Sequence, residues 1–106
     1  MNHKPQLKAN IRFLTSQEGG RSTPPLSGVQ PHLKIQDTFT SCFVWGEIPE
    51  QQFLLGVEYD VLLELQLWDQ YKNSIYIGMP VQLNEGSRVV ATGTIKEMIN
   101  PKAREK

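Results

Sequence analysis

The stretch Tyr59-Asp60-Val61-Leu62-Leu63-Glu64-Leu65-Gln66-Leu67 carries the clearest structural signal in the chain. Large apolar side chains occupy every second position from Tyr59 to Leu67, whereas Asp60, Glu64 and Gln66 fall on the opposite face. A repeat of two residues places alternate side chains on opposite faces of an extended backbone. The stretch therefore predicts a β-strand with one face in the core.

The same alternation recurs on both sides of this stretch. It predicts further strands over residues 6–15, 32–39, 42–48, 75–83 and 89–99. Residues 84–87 have the composition of a tight turn, Gly93 indicates a bulge or a crowded corner, and residues 68–73 form a polar connection that exposes Trp68 and Tyr71. About six strands with almost no helical periodicity predict an all-β domain, either a sandwich or a barrel.

Length and composition fit one small globular domain. The chain has 106 residues, 39% of them hydrophobic and 21% charged, which is ordinary for a folded soluble protein. No apolar run reaches the roughly 18 residues that a membrane helix needs, and the first residues lack the pattern of a secretory signal. We expect a single cytoplasmic domain over residues 1–106, with the barrel at about 6–99 and a frayed, charged tail at 100–106.

Charge is unevenly distributed although the formal net charge is zero. Residues 35–71 contain no lysine or arginine but seven carboxylates, and the basic residues precede or follow this block. Pairing between strands from the two ends of the chain could create one basic and one acidic face. The alternative is a surface of mixed charge, which is the more common arrangement.

The glycine- and proline-rich segment at residues 16–28 is an unusually long loop for so small a domain. Glycine permits positive φ and close backbone approach, and the paired prolines stiffen the exit, so we expect an ordered loop. Gly19-Gly20-Arg21 has two interpretations. It could form a backbone nest for an anion, or a structural turn in which Arg21 pairs with a nearby carboxylate; the residues favour the turn.

Motifs for catalysis and for metal or cofactor binding are missing from the sequence. There is no G-x-x-x-x-G-K-[ST] phosphate loop and no G-x-S-x-G nucleophile context. His3 and His32 are far apart, and Cys42 has no second cysteine with which to form a disulfide or a zinc site. Cys42 lies in an apolar run and is expected to be buried. We predict a non-enzymatic protein without a metal or cofactor.

Three sequence motifs are informative in combination. They are Glu-Gly-Gly-Arg-Ser-Thr-Pro at 18–24, Gly-Val-Gln-Pro at 28–31, and Asn-Glu-Gly-Ser-Arg-Val-Val-Ala-Thr-Gly-Thr-Ile at 84–95. Together they resemble the C-terminal domain of translation elongation factor Tu. They occur in the family's order, and the resemblance spans about residues 7–99. It implies a six-stranded antiparallel barrel that takes part in translation. Divergence at motif positions suggests a stand-alone relative that lacks the GTPase domain and therefore has no nucleotide site.

The resemblance also implies a surface for the T-stem of aminoacyl-tRNA. Gly86 matches a glycine whose backbone lies against the T-stem, and Arg88 follows in the same hairpin. His32 stands where the family commonly has glutamine, and Ser41 lies near a threonine that faces the tRNA backbone. Ser87 replaces a second family glycine, so the expected tRNA contacts are only partly conserved.

A second implied surface is the contact with a neighbouring domain or partner protein. In the family, the loop that matches Gly19, Gly20 and Arg21 lies where the barrel meets the GTPase domain. Gln30 is assigned to the same interface, although the family usually has arginine at this position. The function implied is binding of aminoacyl-tRNA or of a translation-factor protein.

The alternative is a protein–protein interaction module that reuses the barrel without binding RNA. The acidic block at residues 35–71 favours it, as does the aromatic pair Trp68 and Tyr71, because aromatic residues are frequent interface anchors.

Overall fold

Six antiparallel strands close into a barrel in the computed structural model, which describes residues 4–99. The strands are β1 (Leu7–Phe13), β2 (His32–Ile35), β3 (Thr38–Trp45), β4 (Glu58–Leu65), β5 (Pro80–Glu85) and β6 (Arg88–Met98). Their order around the barrel is β1-β4-β3-β2-β5-β6, and β6 pairs with β1 to complete the ring. The all-β antiparallel barrel is therefore confirmed. Closure gives every strand two neighbours and thereby reduces the exposed sheet edge, although β2 and β5 are joined through two residue pairs, His32–Asn84 and Leu33–Leu83.

Strand alternation places one face of each strand in a continuous apolar core. In β1 the four odd-numbered residues from Leu7 to Phe13 are buried, and in β4 Val61, Leu63 and Leu65 are buried. Gly93 on β6 faces β1, where a side chain at this position would lie 2.8 Å from the Cα of Ile11. The crowded position predicted for Gly93 is thus confirmed, while the register shifts lie elsewhere, opposite Lys8/Ala9 and at Leu83/Asn84.

The predicted strand over residues 32–39 is wrong, because a hairpin turn divides it. Ile35 pairs with Thr38, so Gln36 and Asp37 form a two-residue turn between β2 and β3. Gln36 adopts a φ of 55°, which the sequence does not signal because glutamine is not a typical turn residue. The following strand ends at Trp45 and not at Ile48. There the backbone N–H of Gly46 donates to the Ser27 hydroxyl at 2.8 Å, outside the sheet.

The region before β5 also differs from the prediction. A short helix, α1 (Trp68–Tyr71), and a 3₁₀ turn (Lys72–Ser74) replace the polar connection, and Trp68 and Tyr71 are half-buried against the core. The exposed aromatic pair expected here is therefore wrong; in this region the exposed ring is that of Tyr76, at 58%. The predicted strand at 75–83 begins only at Pro80, because the chain turns at Gly78, where φ is 92°.

Strand order decides the distribution of charge on the barrel surface. Basic β1 lies beside acidic β4, so Arg12 is opposite Glu58 and Asn10 is opposite Asp60. The Asn10 amide donates to the Asp60 carboxylate at 3.2 Å. Along this pair of strands, charges of both signs are therefore mixed and do not separate into a basic and an acidic face. No helix within residues 4–99 is long and apolar enough to cross a membrane; the expected tail at 100–106 lies outside the described residues.

Candidate functional site

A capped 3₁₀ turn begins the long loop. The Thr15 hydroxyl accepts from the Glu18 backbone N–H at 3.3 Å, and the Glu18 carboxylate accepts from the Thr15 backbone N–H at 2.9 Å, which forms a capping box. The Arg12 guanidinium donates to both Glu18 carboxylate oxygens, at 2.7 and 2.8 Å. These bonds, first from Arg12 and then from Thr15, lower the pKa of Glu18 below its ordinary value.

The paired glycines are required by two different constraints. Gly19 ends the 3₁₀ turn in the left-handed region, with φ at 90°. Gly20 is buried, and a side chain at this position would overlap the Leu14 carbonyl and approach the Leu14 Cβ to 2.8 Å. Its backbone N–H donates to the Thr15 carbonyl at 2.9 Å. Glycine at position 20 is thus needed for close backbone approach, as the sequence suggested for this loop.

Arg21 connects the loop to the β5–β6 hairpin. Its guanidinium forms an ion pair with the Glu85 carboxylate, and its Nε donates to the Thr23 carbonyl at 3.0 Å. Arg88 reaches back from the hairpin and donates from Nη1 to the Gly20 carbonyl at 3.3 Å. We call residues 18–23 and 85–88 together the loop–hairpin corner. Of the two interpretations of Gly19-Gly20-Arg21, the turn with a carboxylate partner is the one observed.

The hairpin presents its tip to solvent. Glu85 pairs with Arg88, which leaves Gly86 and Ser87 as a two-residue turn with Gly86 at a φ of 63°. Both turn residues and Arg88 are exposed. The tight turn predicted at 84–87 is confirmed. The corner thereby brings together Gly20 and Arg21, assigned to a protein interface, and Gly86 and Arg88, assigned to tRNA.

The other two residues assigned to tRNA lie side by side on neighbouring strands. His32 of β2 is directly opposite Ser41 of β3, and it is also opposite Asn84 of β5, two residues before Gly86. His32 is exposed and Ser41 is half-buried. Strand pairing therefore connects these positions to the base of the hairpin.

Gln30 is held by a different part of the barrel. It is exposed between Val29, whose carbonyl accepts from the Val44 N–H at 2.9 Å, and Pro31, whose carbonyl accepts from the Cys42 N–H at 3.0 Å. These bonds attach this segment to the second half of β3 and not to the hairpin.

Most charge at the corner is compensated within the chain. Arg12 pairs with Glu18 and Arg21 pairs with Glu85, so the guanidinium groups already bind carboxylates. Among residues 4–99, Arg88 donates only to a neutral carbonyl. Within this described range, the corner therefore offers backbone groups, hydroxyls and one guanidinium without a carboxylate partner, and no strong concentration of positive charge.

The single cysteine and the candidate metal-ligating side chains were predicted to be without chemical function, and two observations bear on them. Burial raises the pKa of the Cys42 thiol to about 12, so the reactive thiolate is scarce at neutral pH. Among residues 4–99, no three His, Cys, Asp or Glu side chains are grouped closely enough to hold a metal ion.

No protein-family model matches the sequence. The relation to elongation factor Tu therefore remains a resemblance carried by the three motifs, and the observed barrel has the fold that this resemblance implies.

Glu85 is a residue of the candidate site at the loop–hairpin corner that sequence reasoning missed. It lies 64 positions from its partner Arg21, so no local pattern connects them. The sequence did contain an indication of this contact. The turn interpretation requires a carboxylate partner for Arg21, and Glu85 lies within the motif at 84–95.

Proposed function

We propose that this protein is a non-catalytic binding module, related to the C-terminal domain of elongation factor Tu, that docks a translation-factor protein through the loop–hairpin corner. The Arg21–Glu85 ion pair carries the proposal, because it joins two motifs of the resemblance into one surface. The fixed backbone of Gly20 further preorganises that surface. Preorganisation reduces the entropy lost on binding, which favours a docking surface.

Compensated charge favours a protein partner over RNA at this corner. Binding to nucleic acid gains most of its affinity from cations that neutralise phosphates and release counterions. Arg12 and Arg21 would have to exchange their carboxylate partners for phosphates, and the hairpin carboxylate of Glu85 would repel the RNA backbone. Protein interfaces, in contrast, accept mixed charge at their rims.

Binding to a truncated elongation factor tests the proposal. The probe is elongation factor Tu of the same cell without its third domain, loaded with a non-hydrolysable GTP analogue and titrated with the full chain by calorimetry. We expect saturable binding that Ser87→Trp weakens at least about tenfold, because Ser87 is exposed at the hairpin tip and a bulky ring would block docking.

Thr94→Trp is the matched control for this titration. Thr94 is also exposed, but it lies within β6 between Pro80 of β5 and Asn10 of β1, away from the hairpin tip, so we expect unchanged affinity. Absence of binding by the unmodified chain would refute the proposal, as would equal losses in both variants.

Binding of aminoacyl-tRNA is the second candidate, and the exposed Arg88 beside the Gly86 turn favours it. The register also places His32 next to Asn84 at the base of the same hairpin. If RNA binds here, affinity falls with salt, and Arg88→Ala reduces the slope of log K against log salt by about one. A fluorescence titration from low to physiological salt measures this slope. Absence of saturable binding, or binding insensitive to salt, would exclude this candidate.

A further inference from the structure

A groove of about 500 Å³ lies on the outer surface where residues 46–50 meet Leu26 and Ser27. Its floor and walls are mainly apolar and include Leu26, Trp45, Ile48 and Leu62. None of these residues belongs to the loop–hairpin corner, so the groove is a separate feature of the barrel.

The backbone around the groove is fixed by hydrogen bonds between two loops. The Ser27 N–H donates to the Gln51 carbonyl at 2.7 Å, and the Phe53 N–H donates to the Pro25 carbonyl at 2.9 Å. The Gly46 N–H binds the Ser27 hydroxyl at 2.8 Å. The groove is thus a formed site and needs little ordering when a ligand enters.

Trp45 provides a fixed aromatic surface in this groove. Its indole N–H donates to the Glu64 carboxylate at 2.8 Å, and its ring stacks on Phe43 with the centroids 5.5 Å apart. On another side the ring packs against Gly28, where a Cβ would lie only 3.1 Å away. Held from several directions, the ring remains half-buried and can contact a ligand without rearrangement.

Two aliphatic side chains extend the apolar surface into solvent. Ile48 is 61% exposed and Leu26 is 55% exposed, although both flank the fixed tryptophan. A side chain inserted between them would remove apolar area from water on both partners, which favours binding. The groove therefore selects an apolar anchor residue.

The charges around the groove indicate which kind of residue the ligand should carry next to its apolar anchor. Glu47 and Glu50 line the groove and are exposed, and both belong to the sequence block at residues 35–71 that contains no lysine or arginine. The basic residues near the groove lie on another side, where Lys8 of β1 is directly across from Leu62 and Lys4 precedes the lining residue Pro5. Electrostatic complementarity therefore requires positive charge on the ligand toward the Glu47–Glu50 side.

We propose that this groove binds a protein segment in which a large apolar residue lies next to lysine or arginine. The apolar residue packs on Trp45 between Leu26 and Ile48, and the basic residue pairs with Glu47 or Glu50. The proposal does not depend on docking at the loop–hairpin corner.

The backbone at Glu50 gives independent support. Glu50 has a φ of 59°, in the left-handed region that glycine adopts without cost. A carboxylate kept in an unfavourable conformation beside a groove is consistent with a role in binding. Glu50→Gly should therefore leave the melting temperature unchanged or raised, while it weakens binding.

Selection from a random-peptide phage library on the immobilised full chain tests the proposal. We expect enrichment of peptides with an apolar residue next to Lys or Arg. The best synthetic peptide, titrated into ¹⁵N-labelled protein, should shift the amide signals of Leu26, Trp45 and Ile48. Ile48→Asp should reduce its affinity at least about tenfold, because a charge then replaces an apolar wall.

Ile77→Asp is the matched control, since Ile77 is similarly exposed at 63% but lies outside the groove. It should leave peptide affinity unchanged, whereas the double variant Glu47→Gln/Glu50→Gln should lower affinity about threefold and reduce its salt dependence. Failure to enrich any peptide, enrichment without basic residues, or equal loss in both aspartate variants would overturn the proposal. A dimer in sedimentation equilibrium that Ile48→Asp dissociates would also overturn it, because a second copy would then occupy the groove.

Discussion

Gln36 occupies a turn position that suits glycine better than glutamine. Its φ of 55° lies in the left-handed region, where an L side chain crowds the backbone. We predict that Gln36→Gly raises the free energy of unfolding by about 0.5–1 kcal/mol, since relief of strain exceeds the entropy lost by glycine on folding. Urea denaturation measures the change. Lys34→Gly, at an exposed position within β2, should instead destabilise the barrel. Stabilisation by both substitutions, or by neither, would contradict relief of backbone strain at Gln36 as the cause.

At position 20, a side chain is excluded by the neighbouring backbone and not by the φ angle. Because a Cβ would overlap the Leu14 carbonyl, Gly20→Ala must displace backbone, and we predict a loss of about 2–3 kcal/mol in unfolding free energy. Gly78→Ala is the comparison, since Gly78 has a φ of 92° but open space around it. Its cost should be smaller, about 1 kcal/mol of backbone strain. Equal urea midpoints for the two variants would refute the steric explanation.

At the scale of elements, the capped turn at residues 16–18 depends on an ionised Glu18. Its pKa in the folded protein is lowered mainly by Arg12, so the stabilisation is present above the unfolded value near 4.5 and is lost as pH falls through the folded value. We therefore predict that Glu18→Gln lowers the melting temperature at neutral pH. This difference from the unmodified chain should shrink progressively below about pH 4.5.

Thermal melts from pH 7 to pH 3 measure the Glu18 effect. Glu47→Gln, at an exposed carboxylate outside the turn, provides the control and should change the melting temperature little at any pH. A Glu18→Gln deficit that persists unchanged at pH 3 would show that the carboxylate charge is not responsible.

The elements also show which parts of this fold a sequence can predict. β1 and β4 follow from alternation alone, because one face of each strand is buried and the other is polar. The turn at Gln36 was missed because it depends on a positive φ, and glutamine rarely adopts positive φ, so its presence in a sequence does not indicate a turn. The alternation through Ile75 and Met79 was misinterpreted because both are buried outside the sheet, and burial produces apolar spacing in turns as well.

The candidate sites are less predictable because their parts come together only in three dimensions. The motifs identified Arg21 and Gly86, but the ion pair with Glu85 depends on barrel closure. The groove was not anticipated, since Leu26 and Ile48 come from separate loops and no sequence pattern shows that these loops lie side by side. Strand order likewise mixes charges that the linear sequence separates.

At the scale of the whole molecule, closure places Cys42 where it can report on the opening of the barrel. Cys42 is fully buried on β3, opposite Leu65 of β4, and burial raises the pKa of its thiol to about 12. Every strand has two hydrogen-bonded neighbours, so reagents can reach the thiol only when strands separate. We predict that iodoacetamide at pH 8 modifies Cys42 only through unfolding of the barrel as a unit.

Mass spectrometry of alkylation at increasing urea concentrations measures this opening. If the whole barrel opens at once and closes quickly, the free energy of opening equals the free energy of unfolding. The logarithm of the alkylation rate then rises linearly with urea concentration, with a slope that corresponds to the m value of equilibrium unfolding. The alkylation rate of the Gly20→Ala variant should then increase about tenfold for each 1.4 kcal/mol of unfolding free energy lost, although Gly20 lies on a loop and not on β3 or β4. A rate independent of urea, or unaffected by Gly20→Ala, would show instead that β3 and β4 separate locally while the rest of the barrel stays closed.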